Sequence, residues 1–378
     1  MKAIFSDSNE KILKTTRSIN FNIQNKGIYL IQVSAKTKDE KQLDGTDDED
    51  LRVEIDGRKF PLLSNQQRYF DSPAAFSGGA THGLTKVVFF ILWLDTGYHQ
   101  LNFIPDLAAT VMEMSIRQIS EDSSLSEFNL PLNLTAEDGD RRDWLTFVLV
   151  DAKLESFTPE LILKRRFIDS DDVKITIDDL IKQAHYNNRQ KLWYFVASLL
   201  RGEQQSKEFK ANLPIGLHYV ELAADRTPTL NTINFLSLTF QIPITIQEKI
   251  EYRSKQYNLD PKVMLRLAKR ESQLDPKATS PAGAKGIYQL TAITIKQIKK
   301  LGFEIIDPYD IDQNIQGGFI YFNWLYKRYE GEKNQIEKTL VAWNYGLAHV
   351  PQNEPLDFEK LPEETKNLIR DVLGNYDF

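Results

Sequence analysis

The residues best placed to do chemistry centre on Glu271. After Asp260-Pro261, an N-cap residue followed by a first-turn proline, Val263, Leu267 and Glu271 fall at i, i+4 and i+8. This spacing predicts a helix that carries a carboxyl on its apolar stripe, in its last turn. Apolar surroundings strip hydration from the charged form and raise the pKa, and the carbonyl end of the helix acts the same way. Lys269 and Arg270 oppose this from other faces. A carboxylic acid kept neutral near pH 7 can protonate a leaving group, which is the work of a general acid. On spacing alone, a solvated helix-end carboxylate is the more frequent outcome. The chain has no cysteine, which excludes thiolate nucleophiles, thiolate zinc sites and disulfides. No Gly-rich phosphate loop or Ser/His/Asp arrangement stands out, so neither a metal nor a cofactor is expected.

The run that follows reads Glu271-Ser272-Gln273-Leu274-Asp275-Pro276-Lys277-Ala278-Thr279-Ser280-Pro281-Ala282-Gly283-Ala284-Lys285-Gly286-Ile287-Tyr288-Gln289-Leu290. It resembles the catalytic segment of soluble lytic transglycosylases, E-S-x-F-x-P-x-A-x-S-x-x-G-A-x-G-L-M-Q, whose domain is similar to goose-type lysozyme. Downstream, Asp307-Pro308 with Asn314-Ile315-Gln316-Gly317-Gly318 resembles the family's N-P-x-x-N-I-x-x-G segment, and Ala342-Trp343-Asn344-Tyr345-Gly346 its A-Y-N-A-G motif. The resemblance covers residues 246–350. It implies a lysozyme-like fold acting on peptidoglycan between N-acetylmuramic acid and N-acetylglucosamine, with Glu271 as general acid and base. By the same resemblance Ser280, Gln289 and Asn344 line the glycan cleft, and Tyr288, Thr291 and Trp343 contribute to substrate binding.

Most glycosidases flank the scissile bond with two carboxylates. No Asp or Glu occurs between Pro276 and Phe303, so a single acid suits an intramolecular route that ends in a 1,6-anhydro sugar. The alternatives are a hydrolytic lysozyme of the same fold using a remote carboxylate, and a non-catalytic wall-binding scaffold. Trp343 stands where the family has Tyr and offers only an N–H donor, which keeps the scaffold reading open. Tyr288 and Thr291 stand where Met is common, and both are expected to reshape a subsite.

The elements that must hold these residues divide the chain by texture. Residues before 244 read as short β-branched or aromatic strands between polar turns, such as Tyr29–Val33 and Leu51–Ile55. Asp50-Leu51-Arg52-Val53-Glu54-Ile55-Asp56 matches Asp172-Val173-Lys174-Ile175-Thr176-Ile177-Asp178, and Gly97-Tyr98-His99 matches Gly216-Leu217-His218, at offsets of 122 and 119 residues. The reading is multidomain: two all-β, jelly-roll-like sandwich modules in tandem, 1–120 and 121–243, then an all-α lysozyme-like domain, 244–378. Within the last, helices are expected from Asp260, up to Leu301-Gly302, over 312–329 and 335–343, and from Pro362.

Exposed Tyr69, Phe70, Trp93 and Tyr98 are candidates to stack on wall polysaccharide, although a packed core role is the commoner fate of Trp93 in its apolar run. The acidic clusters Asp47–Asp50 and Asp169–Asp172 lack the spacing and glycine of an EF-hand loop and read as solvated turns. Matched His99 and His218 suggest packing or hydrogen bonding rather than metal ligation.

With 41% hydrophobic and 26% charged residues, the chain can build a packed core. Its longest apolar run, Val87–Leu94, is too short to span a bilayer. A net charge of -6 argues against a nucleic-acid partner. From Lys255 to Lys300, however, ten basic residues face three acidic ones, a local excess suited to attracting wall anions or equally to a solvated face. No signal peptide is visible at the N-terminus, so export is expected to use a leader missing from this sequence or an unconventional one. The substrate class nevertheless points to an extracytoplasmic place of action.

Overall fold

Strand Lys86–Leu94 is apolar along most of its length because both of its faces are covered. Val88, Phe90 and Leu92 join one core with Tyr29, Ile31 and Phe103, while Val87, Phe89 and Ile91 join another with Phe147 and Phe235. The molecule is known from a computed structural model that describes residues 1–167, 169–182, 194–199, 201–242 and 245–374. It divides into two units, Met1–Ile55 with Lys59–Ile242, and Asp56–Arg58 with Pro243–Phe378. The domain start expected at 244 lies outside the described residues.

Among the described residues, the first unit is built on a 13-stranded sheet in which Gly27–Lys36, Lys86–Leu94, Arg142–Ile162, Phe209–Asp225 and Asp172–Ile177 are successive neighbours. Lys86–Leu94 runs parallel to Arg142–Ile162, with Phe89 opposite Phe147. Their rings stack with centroids 4.9 Å apart. One sheet therefore runs through both halves of the repeat. A four-stranded sheet of Arg17–Ile23, Gly97–Pro105, Asp50–Ile55 and Phe76–Ser77 contributes Phe21, Phe103 and Val53 to the first of the two cores.

The repeated sequences occupy matching places. Asp50–Ile55 pairs with Gly97–Pro105, and Asp172–Ile177 with Phe209–Asp225. His99 and His218 each donate Nε2–H to the carbonyl four residues earlier, at 2.8 Å from Asp95 O and 2.7 Å from Pro214 O. One expectation is corrected: the second acidic cluster is no solvated turn. Asp171 is fully buried, accepting from the amides of Lys164 and Thr227 at 2.7 and 3.1 Å. Nor do Tyr69 and Phe70 present free faces. The Arg52 guanidinium lies 5.7 and 5.0 Å from their ring centroids. Trp93 is half-buried against the core, its Nε1–H donated to Asp95 Oδ1 at 3.1 Å.

Among the described residues of the second unit, six α-helices surround one apolar core: α1 Ile246–Tyr257, α2 Pro261–Ser272, α3 Ala292–Lys300, α4 Ile311–Arg328, α5 Gln335–Asn344 and α6 Glu363–Leu373. Helix α1 was not foreseen. It buries only Ile250 and Ser254, so its apolar signal is thin, and Thr245 with Glu248 closes its start as a capping box. Among the described residues, no helix is long and apolar enough to cross a membrane.

Candidate active site

Helix α2 starts as its sequence dictates. The Asp260 carboxylate accepts from Lys262 N at 2.8 Å, and Pro261 fills the first position. Met264, Leu267 and Ala268 are buried, which carries Glu271 into the edge of the core. Behind it the chain leaves the helix through two left-handed residues in succession, Gln273 (φ 56°) and Leu274 (φ 66°). Such backbone costs of order 1–3 kcal/mol per residue, so surrounding contacts must hold it.

Glu271 is half-buried, and one carboxylate oxygen accepts from Trp343 Nε1 at 3.0 Å. Burial raises its pKa. The Trp343 bond and the Arg270 charge pull it down, and the Glu364 carboxylate pushes it up. The net direction is upward, with burial the largest cause. Trp343 is held among Tyr321, Phe322 and Tyr288, with ring centroids 5.5, 5.9 and 6.1 Å away. Its indole therefore reaches the acid with an N–H.

The loop after α2 is organised by Asn314, which is 1% exposed. Its Oδ1 accepts from Tyr288 N at 2.8 Å, and its Nδ2 donates to Lys285 O and Pro308 O at 2.9 and 2.8 Å. Gly286 must be glycine: its φ is +71°, and an added Cβ would lie 2.4 Å from Asn314 Nδ2. Gly318 lets α4 approach the Tyr288 ring, since a Cβ there would meet ring carbons at 2.6 Å.

Tyr288, expected at a subsite, is fully buried instead, with its hydroxyl donated to Met264 O at 3.1 Å and its ring packed edge-on against Trp343. Ser280 Oγ accepts from Ala284 N at 3.1 Å, and Gln289 Nε2 donates to Gly286 O at 2.8 Å. Both are half-buried and brace the loop. Thr291 caps α3, accepting from Thr294 N at 3.1 Å. Asn344 is exposed at the end of α5, and its Oδ1 accepts from Thr365 Oγ1 at 2.7 Å, which leaves its amide N–H pair to offer. The sequence reading had Asn314 and Ser272 within its motifs but gave neither a role; the Ser272 Oγ donates to Ile287 O at 2.8 Å. That reading missed Glu364, an exposed residue in the first turn of α6.

Residues 248–365 match the family described as Transglycosylase SLT domain, so the C-terminal region carries an SLT-type domain. Membrane-bound lytic murein transglycosylase F of Haemophilus influenzae is 35% identical over 102 residues, covering 26% of this chain and 20% of that protein. Its namesake from Actinobacillus succinogenes is 33% identical over 120 residues, covering 31% and 22%. The chain spans about a fifth of the length of these curated relatives. Among solved structures, an inactive mutant of the lytic transglycosylase Slt from Pseudomonas aeruginosa aligns at a TM-score of 0.31 and 22% identity, over 35% of this chain and 23% of that one.

Proposed function

We propose that the SLT-type domain is a lytic transglycosylase that cuts peptidoglycan at the β-1,4 bond between N-acetylmuramic acid and N-acetylglucosamine, with Glu271 as general acid and base. The observation that carries this reading is the half-buried carboxyl with a raised pKa, held by a single N–H donor. Protonated Glu271 gives its proton to the glycosidic oxygen as the C1–O bond breaks. The carbonyl oxygen of the sugar's own N-acetyl group bonds to C1 and takes up the developing positive charge. The 6-hydroxyl then attacks C1 and displaces that oxygen, and the Glu271 carboxylate takes the hydroxyl proton. The product is a 1,6-anhydro sugar, and no water is consumed. Asn344, exposed beside Trp343, offers its amide N–H pair to a sugar oxygen. Ser280, Gln289 and Thr291 act through the loop and helix start that they brace.

A second reading, hydrolysis, is favoured by one observation: the exposed Glu364 carboxylate lies close enough to raise the pKa of Glu271. In that case Glu364 would activate a water. The β unit is proposed to be two copies, 1–120 and 121–243, that contact wall polysaccharide outside the cytoplasm. The matched strand pairs and histidine bonds support the copies, and exposed Tyr98 supports the contact.

Release of soluble muropeptides from purified peptidoglycan tests the enzyme reading. The protein should release them and Glu271→Gln should not; glycan binding by both proteins without release would favour a scaffold. Trp343→Phe tests the acid's holder. Removing the N–H removes a contact that lowers the Glu271 pKa, so the alkaline limb of the kcat profile should move to higher pH. Loss of the fixed carboxyl position should cost roughly tenfold in kcat. Trp343→Tyr, which can restore a donor, should recover part of both.

A further inference from the structure

The loop that follows α2 carries a group of side chains that the reaction above does not use. Lys277 Nζ and Lys285 Nζ lie 5.6 and 5.3 Å from the centroid of one ring, that of Tyr309. The ring itself is held at both ends. Its hydroxyl shares a hydrogen bond with Thr279 Oγ1 at 2.8 Å, and the Tyr309 backbone N–H donates to Asp307 Oδ1 at 2.9 Å. Thr279 and Lys285 pair across the loop as a β-bridge. The Lys285 carbonyl accepts from Asn314 Nδ2 at 2.9 Å, and Asn314 Oδ1 accepts from Tyr288 N. The two lysines are therefore anchored by the residue that organises the loop behind Glu271.

Several other cations of this unit have carboxylate partners. Lys249 lies 2.9 Å from Asp312 and Arg270 2.9 Å from Asp371, and buried Lys338 meets Glu332. Lys277 and Lys285 differ, since among the described residues neither makes an ion pair. The carboxylates nearest to this group in the chain are spent on backbone: Asp275 Oδ1 accepts from Lys277 N at 2.8 Å, and Asp307 Oδ1 from Tyr309 N. An aromatic face attracts ammonium groups without neutralising them. Two like charges drawn to one ring repel each other, and an anion bound by both relieves that repulsion. Lys277 is exposed and Lys285 half-buried, so both heads reach solvent.

We propose that Lys277 and Lys285, gathered around Tyr309, bind the carboxylates of the peptide that a peptidoglycan strand carries. The inference deepens the reading of the domain as a peptidoglycan enzyme and rests on it. Each N-acetylmuramic acid bears a short acidic peptide on its lactyl group, so a strand bound at Glu271 brings carboxylates to the neighbouring loop. Charge-assisted bonds to carboxylates are the strong ones. An ammonium on a flexible stem accepts a carboxylate from many directions, which suits a mobile peptide better than the fixed fork of a guanidinium. The pair favours strands that still carry their peptides over strands that have lost them.

The test uses the full chain carrying Glu271→Gln, so that the ligand is not consumed, titrated calorimetrically at low salt with two probes. One is a purified disaccharide–tetrapeptide muropeptide. The other is the same disaccharide after an amidase has removed the peptide, leaving only the lactyl carboxylate. The peptide-bearing probe should bind about fivefold more tightly or better, and the difference should shrink as salt is raised. Adding Lys277→Gln and Lys285→Gln together should abolish that preference. Tyr309→Leu, which removes the ring and neither charge, should reduce it. Lys262→Gln, altered at an exposed lysine at the start of α2, should keep it. Binding of neither probe, equal binding of both, or a preference that survives the double change would overturn the proposal. A double change that weakens both probes alike would overturn it too, because the lysines would then read the lactyl carboxylate. Failure of the enzyme reading shows separately, as no muropeptide release by the wild-type chain while the binding preference persists.

Discussion

Replacing Glu271 by Gln is expected to lower turnover by about 10²–10⁴-fold or more, the share that a positioned acid and base contributes. Glutamine keeps the shape and an oxygen that can accept the Trp343 N–H, so glycan binding should persist. What is lost is the proton. The same variant carries a stability signature of opposite sense. Burial raises the folded-state pKa of Glu271 above the ordinary carboxylate value, so between the two pKa values the folded state holds more proton than the unfolded one. Stability therefore falls as pH rises through that window. Glutamine cannot ionise and escapes this loss. Its thermal midpoint should match the wild type near pH 4 and exceed it near pH 8, as read by scanning fluorimetry. An inactive variant with no pH-dependent gain would mean that the carboxyl does not sit in the surroundings described.

Gly286→Ala is expected to be the most damaging one-atom addition in the second unit. The backbone there is left-handed at φ +71°, which costs a residue with a Cβ about 1–2 kcal/mol. The new methyl would also lie 2.6 Å from Pro308 O and 2.4 Å from Asn314 Nδ2, and forced repacking adds about 1–3 kcal/mol. The Asn314 bonds that set the loop behind the acid would shift with it. A loss of about 2–4 kcal/mol in urea unfolding, together with reduced turnover, is expected. Gly283→Ala separates the two causes. It shares the positive φ, at +81°, but meets nothing within 4 Å, so only the backbone share, about 1–2 kcal/mol, should appear.

Much of the site was readable before any coordinates. Helix α2 declares itself through Asp260-Pro261 and its apolar stripe, and the placing of Glu271 follows from that periodicity. Tyr288 misled because a motif position gives a residue's neighbours in the chain, not the face it turns. Its ring is enclosed by Phe319 and Trp343, and Gly318 opens the space for it. Trp343 left the holding of the acid open in the sequence, since only geometry shows that an indole N–H reaches the carboxyl. Glu364 could not be found by local spacing, because it approaches Glu271 from the last helix. In the β unit, the run Val87–Leu94 carried the signal of a strand buried on both faces. That the strand on one side is Arg142–Ile162 depends on pairing between distant segments, which no local pattern encodes.

The mass of the released products tests the central claim most directly. Purified peptidoglycan digested by the wild-type chain should yield muropeptides lighter by one water than reducing ones, the mark of a 1,6-anhydro end, with none from Glu271→Gln. Reducing ends would contradict the intramolecular route and make Glu364 the carboxylate to remove next.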